Sequence, residues 1–210
     1  MIKELATALA VGLVFASVRP PCNAEQVFKV GINGVFYCTK SRWLASLVWW
    51  DGRRLGEFPV KETPRRGGLV CHKDGTVEAG YFSVEKGVLK FNGRKIKPED
   101  VKWAISGGGL FLLDGKVISS KEVRRLEGLS SYIVSHRSYS FILVHKDRKR
   151  VVLGVSVGGV PPAVLARRYA GKYYALLRLD GGGATTYFRN KKKPPYVNNA
   201  IGVPAEEKGK

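Results

Sequence analysis

Asp180 is followed at once by Gly181, Gly182 and Gly183, and strand-favouring runs flank the group: Tyr173-Tyr174-Ala175-Leu176-Leu177-Arg178-Leu179 before it and Thr185-Thr186-Tyr187-Phe188 after it. This layout presents a carboxylate at a strand mouth. Three adjacent glycines are costly in chain entropy, so they point to backbone that takes positive φ or lets a ligand approach closely. A hairpin loop capped by Asp180 accounts for the same residues. A second triple glycine, Gly107, Gly108 and Gly109, lies between Ser106 and the apolar Leu110-Phe111-Leu112-Leu113. The chain has no Ser-His-Asp order and no Walker loop, and Cys71-His72 lacks the companions of a zinc site.

The elements that must position these groups belong to a chain of 210 residues, 44% hydrophobic, which is enough for one core and one domain. Residues 1–24 read as a secretory signal peptide, with Lys3 at a basic start, an apolar run over 5–18 and small residues around Ala24. The apolar run, about 14 residues, falls short of the roughly 20 needed for a permanent membrane span. Export predicts a secreted, periplasmic or cell-surface protein, with the domain over 25–203 and a mobile charged tail over 204–210. Cys38 and Cys71 would then sit in an oxidising compartment, as a disulfide or as two buried thiols. The formal net charge of +19 favours acidic partners, yet the basic residues are scattered and form no nucleic-acid-binding signature.

Strands are expected over 27–32, 35–38, 68–72, 76–82, 88–91, 101–105, 110–113, 139–145, 150–157, 173–179 and 196–203, with Asn33-Gly34, Lys73-Asp74-Gly75, Asn92-Gly93 and Asp114-Gly115 as turns. Residues 121–129 fit a short helix or a basic loop, and 132–135 and 139–145 flank His136-Arg137. Residues 160–169 form the one good helix, opened by prolines and stopped at Gly171. It joins two strands as a β-α-β crossover, which predicts that 150–157 and the strand carrying Asp180 are parallel neighbours. The expected fold class is α+β: a single domain with a β-rich mixed sheet, many hairpins and one crossover.

Four stretches in this order resemble the phosphodiester glycosidase family. They are Ile32-Asn33-Gly34-Val35-Phe36-Tyr37; Ile105-Ser106-Gly107-Gly108-Gly109-Leu110-Phe111-Leu112-Leu113-Asp114-Gly115; His136-Arg137-Ser138; and Leu179-Asp180-Gly181-Gly182-Gly183-Ala184-Thr185-Thr186. The closing Val197-Asn198-Asn199-Ala200-Ile201-Gly202-Val203 is similar to the family's terminal strand, so the resemblance spans residues 30–203. Members hydrolyse sugar-1-phosphodiesters, releasing the sugar and leaving a phosphomonoester. Ala184 stands where a serine is usual, Ser138 where a threonine is, and Pro194-Pro195-Tyr196 where an arginine commonly precedes the last strand.

The resemblance implies that Asp180, Arg137 and His136 are catalytic and that Asn33, Gly107, Gly108, Gly109, Gly181, Gly182, Gly183 and Thr185 bind substrate. Arg137 would clamp the phosphate with its forked guanidinium, and the glycine amides would form an anion nest. An ionised Asp180 repels phosphate, so it is expected to face the sugar, hold a divalent metal or carry a proton. His136 would protonate the leaving phosphate, Asn33 would bond sugar hydroxyls, and Thr185 would replace the hydroxyl absent at Ala184. No second catalytic carboxylate is evident, and no cofactor is expected, a divalent metal at Asp180 being the one alternative. The expected function is an exported hydrolase acting on a phosphate-bearing glycan. The alternatives are a catalytically inactive relative that binds anionic glycan and a basic nucleic-acid-binding protein. No specific nucleic acid is expected as partner, nor a membrane beyond the signal sequence.

Overall fold

In the computed structural model the backbone is described for residues 2–9, 14–17, 28–33, 46–50, 52–54, 65–135, 137–181, 187–189 and 199–204, and side chains for 46–50, 52, 65–135 and 137–181. Along the chain the strands are β1 (Ile2–Leu9), β2 (Val14–Ser17), β3 (Phe28–Asn33), β4 (Val48–Trp50), β5 (Arg53–Arg54), β6 (Arg66–His72), β7 (Val77–Glu85), β8 (Val88–Phe91) and β9 (Arg94–Lys95). There follow β10 (Val101–Ser106), β11 (Leu110–Leu113), β12 (Lys116–Val117), helices α1 (Ser120–Glu127) and α2 (Ser131–Ser135), β13 (Tyr139–His145) and β14 (Arg150–Ser156). Helix α3 (Pro162–Tyr169) leads to β15 (Tyr173–Gly181), β16 (Tyr187–Arg189) and β17 (Asn199–Pro204).

These strands form a six-stranded sheet, β1-β14-β13-β15-β11-β12, a seven-stranded sheet, β5-β4-β10-β6-β7-β8-β9, and a four-stranded sheet, β16-β3-β17-β2. The two larger sheets pack face to face. Ile142, Val144, Leu153, Leu177 and Leu179 from one meet Val48, Leu69, Val77, Trp103 and Ile105 from the other in a single core. Alternate residues on the far side of the six-stranded sheet, among them Phe141, Leu143 and Leu176, are covered by Val123, Val134, Leu165 and Ala166 of the helices. Burial on both faces explains why the centre of β13, Phe141 to Val144, reads as a continuous apolar run.

This architecture corrects the expected α+β class with its mixed sheet and crossover. Every described strand pair is antiparallel, the three described helices are short, and the fold is sandwich-like. The strands before and after α3 do run in the same direction, but β13 lies between them, pairing with β14 from Tyr139↔Ser156 to Val144↔Val151 and with β15 from Tyr139↔Gly181 to His145↔Tyr173. The reason is local. Asp147 closes a tight β13–β14 turn by accepting from the Lys149 and Arg150 N–H groups at 2.9 and 3.1 Å. With β13 on one edge of β14 and β1 on the other, β15 can join only beyond β13. Residues 121–129 resolve as α1, capped by Ser119 at its start and by Gly128 at φ 64 at its end. Residues 132–135 fall in α2.

The segment read as a leader supplies β1, paired with β14 from Ile2↔Ser156 to Leu9↔Arg150. Among the described residues no helix is long and apolar enough to cross a membrane.

Candidate functional site

Both glycine motifs are brought together by strand order, because β11 lies beside β15. The 107–109 turn joins β10 of one sheet to β11 of the other and lies flat on the backbone of β15. The Gly108 N–H donates to the Arg178 carbonyl at 2.7 Å, the Arg178 N–H donates to the Gly109 carbonyl at 2.9 Å, and the Gly107 N–H donates to the Gly67 carbonyl at 3.0 Å. A Cβ on Gly107 would lie 2.2 Å from the Arg178 carbonyl oxygen, so the approach is closed to any side chain. The amides of Gly107 and Gly108 are thereby committed within the protein, and what these residues visibly supply is close packing.

Residues 137–139 reach the same place from the other side of β15. Tyr139 is registered opposite Gly181, and a Cβ on Gly181 would come within 2.3 Å of the Ser138 carbonyl oxygen. Further bonds fix this segment: Ser156 Oγ donates to the Arg137 carbonyl at 2.7 Å, the Gly158 N–H to Ser138 Oγ at 3.0 Å, and the Tyr139 hydroxyl to the Val160 carbonyl at 3.0 Å. Arg137 itself is exposed. Thus 107–109, 137–139 and 178–181 converge at one end of the six-stranded sheet. Asn33 is described by its backbone alone, in β3 opposite Ala200. His136, Gly182, Gly183, Thr185, Ala184 and Cys38 lie outside the described residues.

Burial sets the electrostatics. The Asp180 carboxyl is pushed up to about 6 by desolvation, against the Gly181 N–H, which donates to its Oδ1 at 2.7 Å, and the Arg178 guanidinium. Arg178 is 2% exposed, and its guanidinium carbon lies 5.7 Å from the Tyr139 ring centroid. Desolvation lowers it to about 10, opposed by Asp180, Tyr139 and Tyr132. A carboxyl with that affinity can exchange a proton near neutrality. It is protonated in mild acid, which is one resolution of its conflict with an anionic substrate.

Two charged residues here were not singled out from sequence. Arg178 carries a signal, since a lone cation between Leu177 and Leu179 lies two positions before Asp180 in an otherwise apolar strand. Glu127 is fully buried at the end of α1, and its carboxylate accepts from the Leu110 N–H at 2.9 Å and the Gly67 N–H at 2.8 Å. Its acid is pushed up to about 7 by burial, against those two N–H bonds and Arg66. Among the described residues no three His, Cys, Asp or Glu side chains are grouped to hold a metal ion. Cys71 is a buried free thiol, pushed up to about 12 chiefly by desolvation.

No protein-family model matches the sequence, and no curated protein matches it. The fold, however, is one already known. It resembles the zebrafish N-acetylglucosamine-1-phosphodiester alpha-N-acetylglucosaminidase catalytic domain auto-inhibited by pro-peptide, with a TM-score of 0.69 at 17% identity, over 97% of this chain and 73% of that one. A hypothetical protein from Synechocystis is similar with a TM-score of 0.53 at 15% identity, over 97% of this chain and 55% of that one. At such identities the likeness is one of fold. Its first partner is a phosphodiester glycosidase, so the resemblance carried by the sequence motifs has a counterpart in the architecture.

Proposed function

We propose that this protein hydrolyses sugar-1-phosphodiester bonds, releasing free sugar and a phosphomonoester, and that it does so outside the cytoplasm on a phosphate-bearing glycan. The observation that carries the reading is the meeting of 107–109, 137–139 and 178–181 around a half-buried carboxyl poised near neutrality. In this reading Asp180 faces the sugar. Ionised, it supports the positive charge that develops at the anomeric carbon, and it takes a proton from the attacking water as the new C–O bond forms and the sugar–phosphate C–O bond breaks. The buried Arg178 cation holds Asp180 in that form, and Arg137, exposed at the edge of the cluster, is free to reach the phosphodiester. Export rests on the leader-like composition of residues 1–24.

Release of free sugar from a panel of synthetic glycosyl phosphodiesters tests the reading, with Asp180→Asn as control. Turnover that survives this substitution, or none at all in the unmodified protein, refutes it. A second reading, an inactive binder of anionic glycan, is favoured by the amides of Gly107, Gly108 and Gly181, which are spent inside the protein, and by Ala184. It predicts glycan binding lost in Arg137→Ala, without sugar release.

A further inference from the structure

Glu127 is an expensive residue where it stands. It is fully buried, and it closes a helix at the end where the macrodipole is negative, so desolvation and dipole both oppose its charge. Arg124 and Arg125 in the last turn make α1 read as a solvated basic helix, yet its final side chain points into the interior. An apolar side chain of the same volume would fill that space without a buried charge. What the carboxylate alone supplies is two acceptors at a fixed separation, and both are used. Oε1 takes the N–H of Leu110, which begins β11 in the six-stranded sheet. Oε2 takes the N–H of Gly67, near the start of β6 in the seven-stranded sheet.

These two partners bracket the glycine turn. Gly67 receives the Gly107 N–H on its own carbonyl, and Leu110 follows Gly109 directly. Gly108 and Gly109 then bond both backbone groups of Arg178, two residues before Asp180. A continuous run of hydrogen bonds therefore links Glu127 to the strand that carries the reactive carboxyl. Gly67 is shaped to this purpose as well: a Cβ there would lie 2.7 Å from both Glu127 Oε1 and the Leu110 Cβ.

We propose that Glu127 is a positioning residue, which staples the two sheets where the 107–109 turn crosses between them and so fixes the placement of Arg178 and Asp180. Its kinetic consequence rests on the hydrolase reading above; its structural consequence does not. Glu127→Gln is close in shape, but its NH₂ group must face one of the two N–H donors, so one bond is lost and two donors oppose each other.

The test measures turnover and amide hydrogen exchange in Glu127→Gln. With the fold retained by circular dichroism, kcat on a glycosyl phosphodiester is expected to fall about tenfold or more, with KM within about threefold, as for a misplaced reacting group. Exchange at the Gly108 and Arg178 amides should rise about tenfold or more, while Phe82 and Phe91 in the β7–β8 hairpin keep wild-type protection. A uniform rise across both sheets, or unchanged exchange at Gly108 and Arg178, overturns the proposal. If the variant does not fold, a pH titration of the amide resonances in Asp180→Asn, which removes the other nearby carboxyl, decides: Leu110, Gly67, Gly108 and Arg178 must move together with the Glu127 carboxyl, and independent movement overturns the proposal. A wild-type protein without turnover refutes the hydrolase reading, and the exchange result still judges Glu127.

Discussion

Arg178 and Asp180 lie two positions apart on β15, within a break in its ladder with β13: Tyr139 to Phe141 spans two steps, and the facing Gly181 to Arg178 spans three. Such a bulge re-aims side chains near a strand end, a device common beside functional sites. Burial pushes the Asp180 carboxyl up to about 6, the Gly181 N–H and then the guanidinium draw it back, and Asp180 is in turn the chief charge that supports the Arg178 cation.

The pH dependence of stability follows from that carboxyl. Its folded value of about 6 lies above the ordinary 3.8, so between these pH values the folded protein holds a proton that the unfolded chain releases. The contribution is therefore fully favourable below about pH 4 and is lost as pH rises through 6, by roughly 2–3 kcal/mol in all. Asp180→Asn should abolish this slope, seen as the wild-type-minus-variant difference in urea-unfolding free energy between pH 4 and pH 8. In the same variant kcat should fall about 100-fold or more, as expected for loss of a positioned acid–base group.

Removing the cation moves the carboxyl further. In Arg178→Met the desolvation of Asp180 remains and its nearest positive charge is gone, so its titration midpoint should climb above about 6. Carboxyl carbon NMR of Asp180 measures this directly, and the acidic limb of the pH–rate profile should shift the same way. A midpoint at or below the wild-type value would mean that the guanidinium does not govern the carboxyl.

Close packing of the glycine turn makes a prediction without electrostatics. Gly107→Ala places a methyl group 2.2 Å from the Arg178 carbonyl oxygen, so β15 or the turn must shift, at a cost of about 3 kcal/mol. Gly158→Ala meets nothing within 4 Å and is limited to the strain of its φ of 54, about 1–2 kcal/mol. Chemical denaturation of the two variants side by side should rank them in that order, and only the first should alter catalysis.

What the sequence disclosed follows from the range of the interactions involved. Asn92-Gly93 and Asp114-Gly115 announce their turns because positive φ is a property of the dipeptide, and φ values of 49, 77, 52 and 72 are what the chain adopts. The family resemblance implies one site for 107–109 and 180–181, and pairing of β11 with β15 makes the two segments neighbours. The neighbour of β14 was not legible, because that choice depends on which hairpin already occupies its edge. Glu127 was hidden for a similar reason: beside Arg124 and Arg125 it reads as one more surface charge, and only the distant Gly67 and Leu110 amides give it a role.

The edge of β14 supplies the last prediction. Seven register pairs join β1 to β14, and residues 1–24 also carry the composition of a leader. A chain that starts at Glu25 loses those pairs and leaves the N–H and C=O groups along Val151 to Val155 without a neighbour on that side. An open edge beside buried apolar residues invites pairing with another chain. Expressed in that form, the protein should melt roughly 5 °C or more below the full chain, and should elute as a dimer or larger species in size-exclusion chromatography. Adding back a synthetic peptide of residues 1–10 should restore both the melting temperature and the elution position, because it refills the vacated lane by the same register. If the shortened chain is monomeric and equally stable, residues 1–24 can be lost at no structural cost and β14 is content as an edge strand.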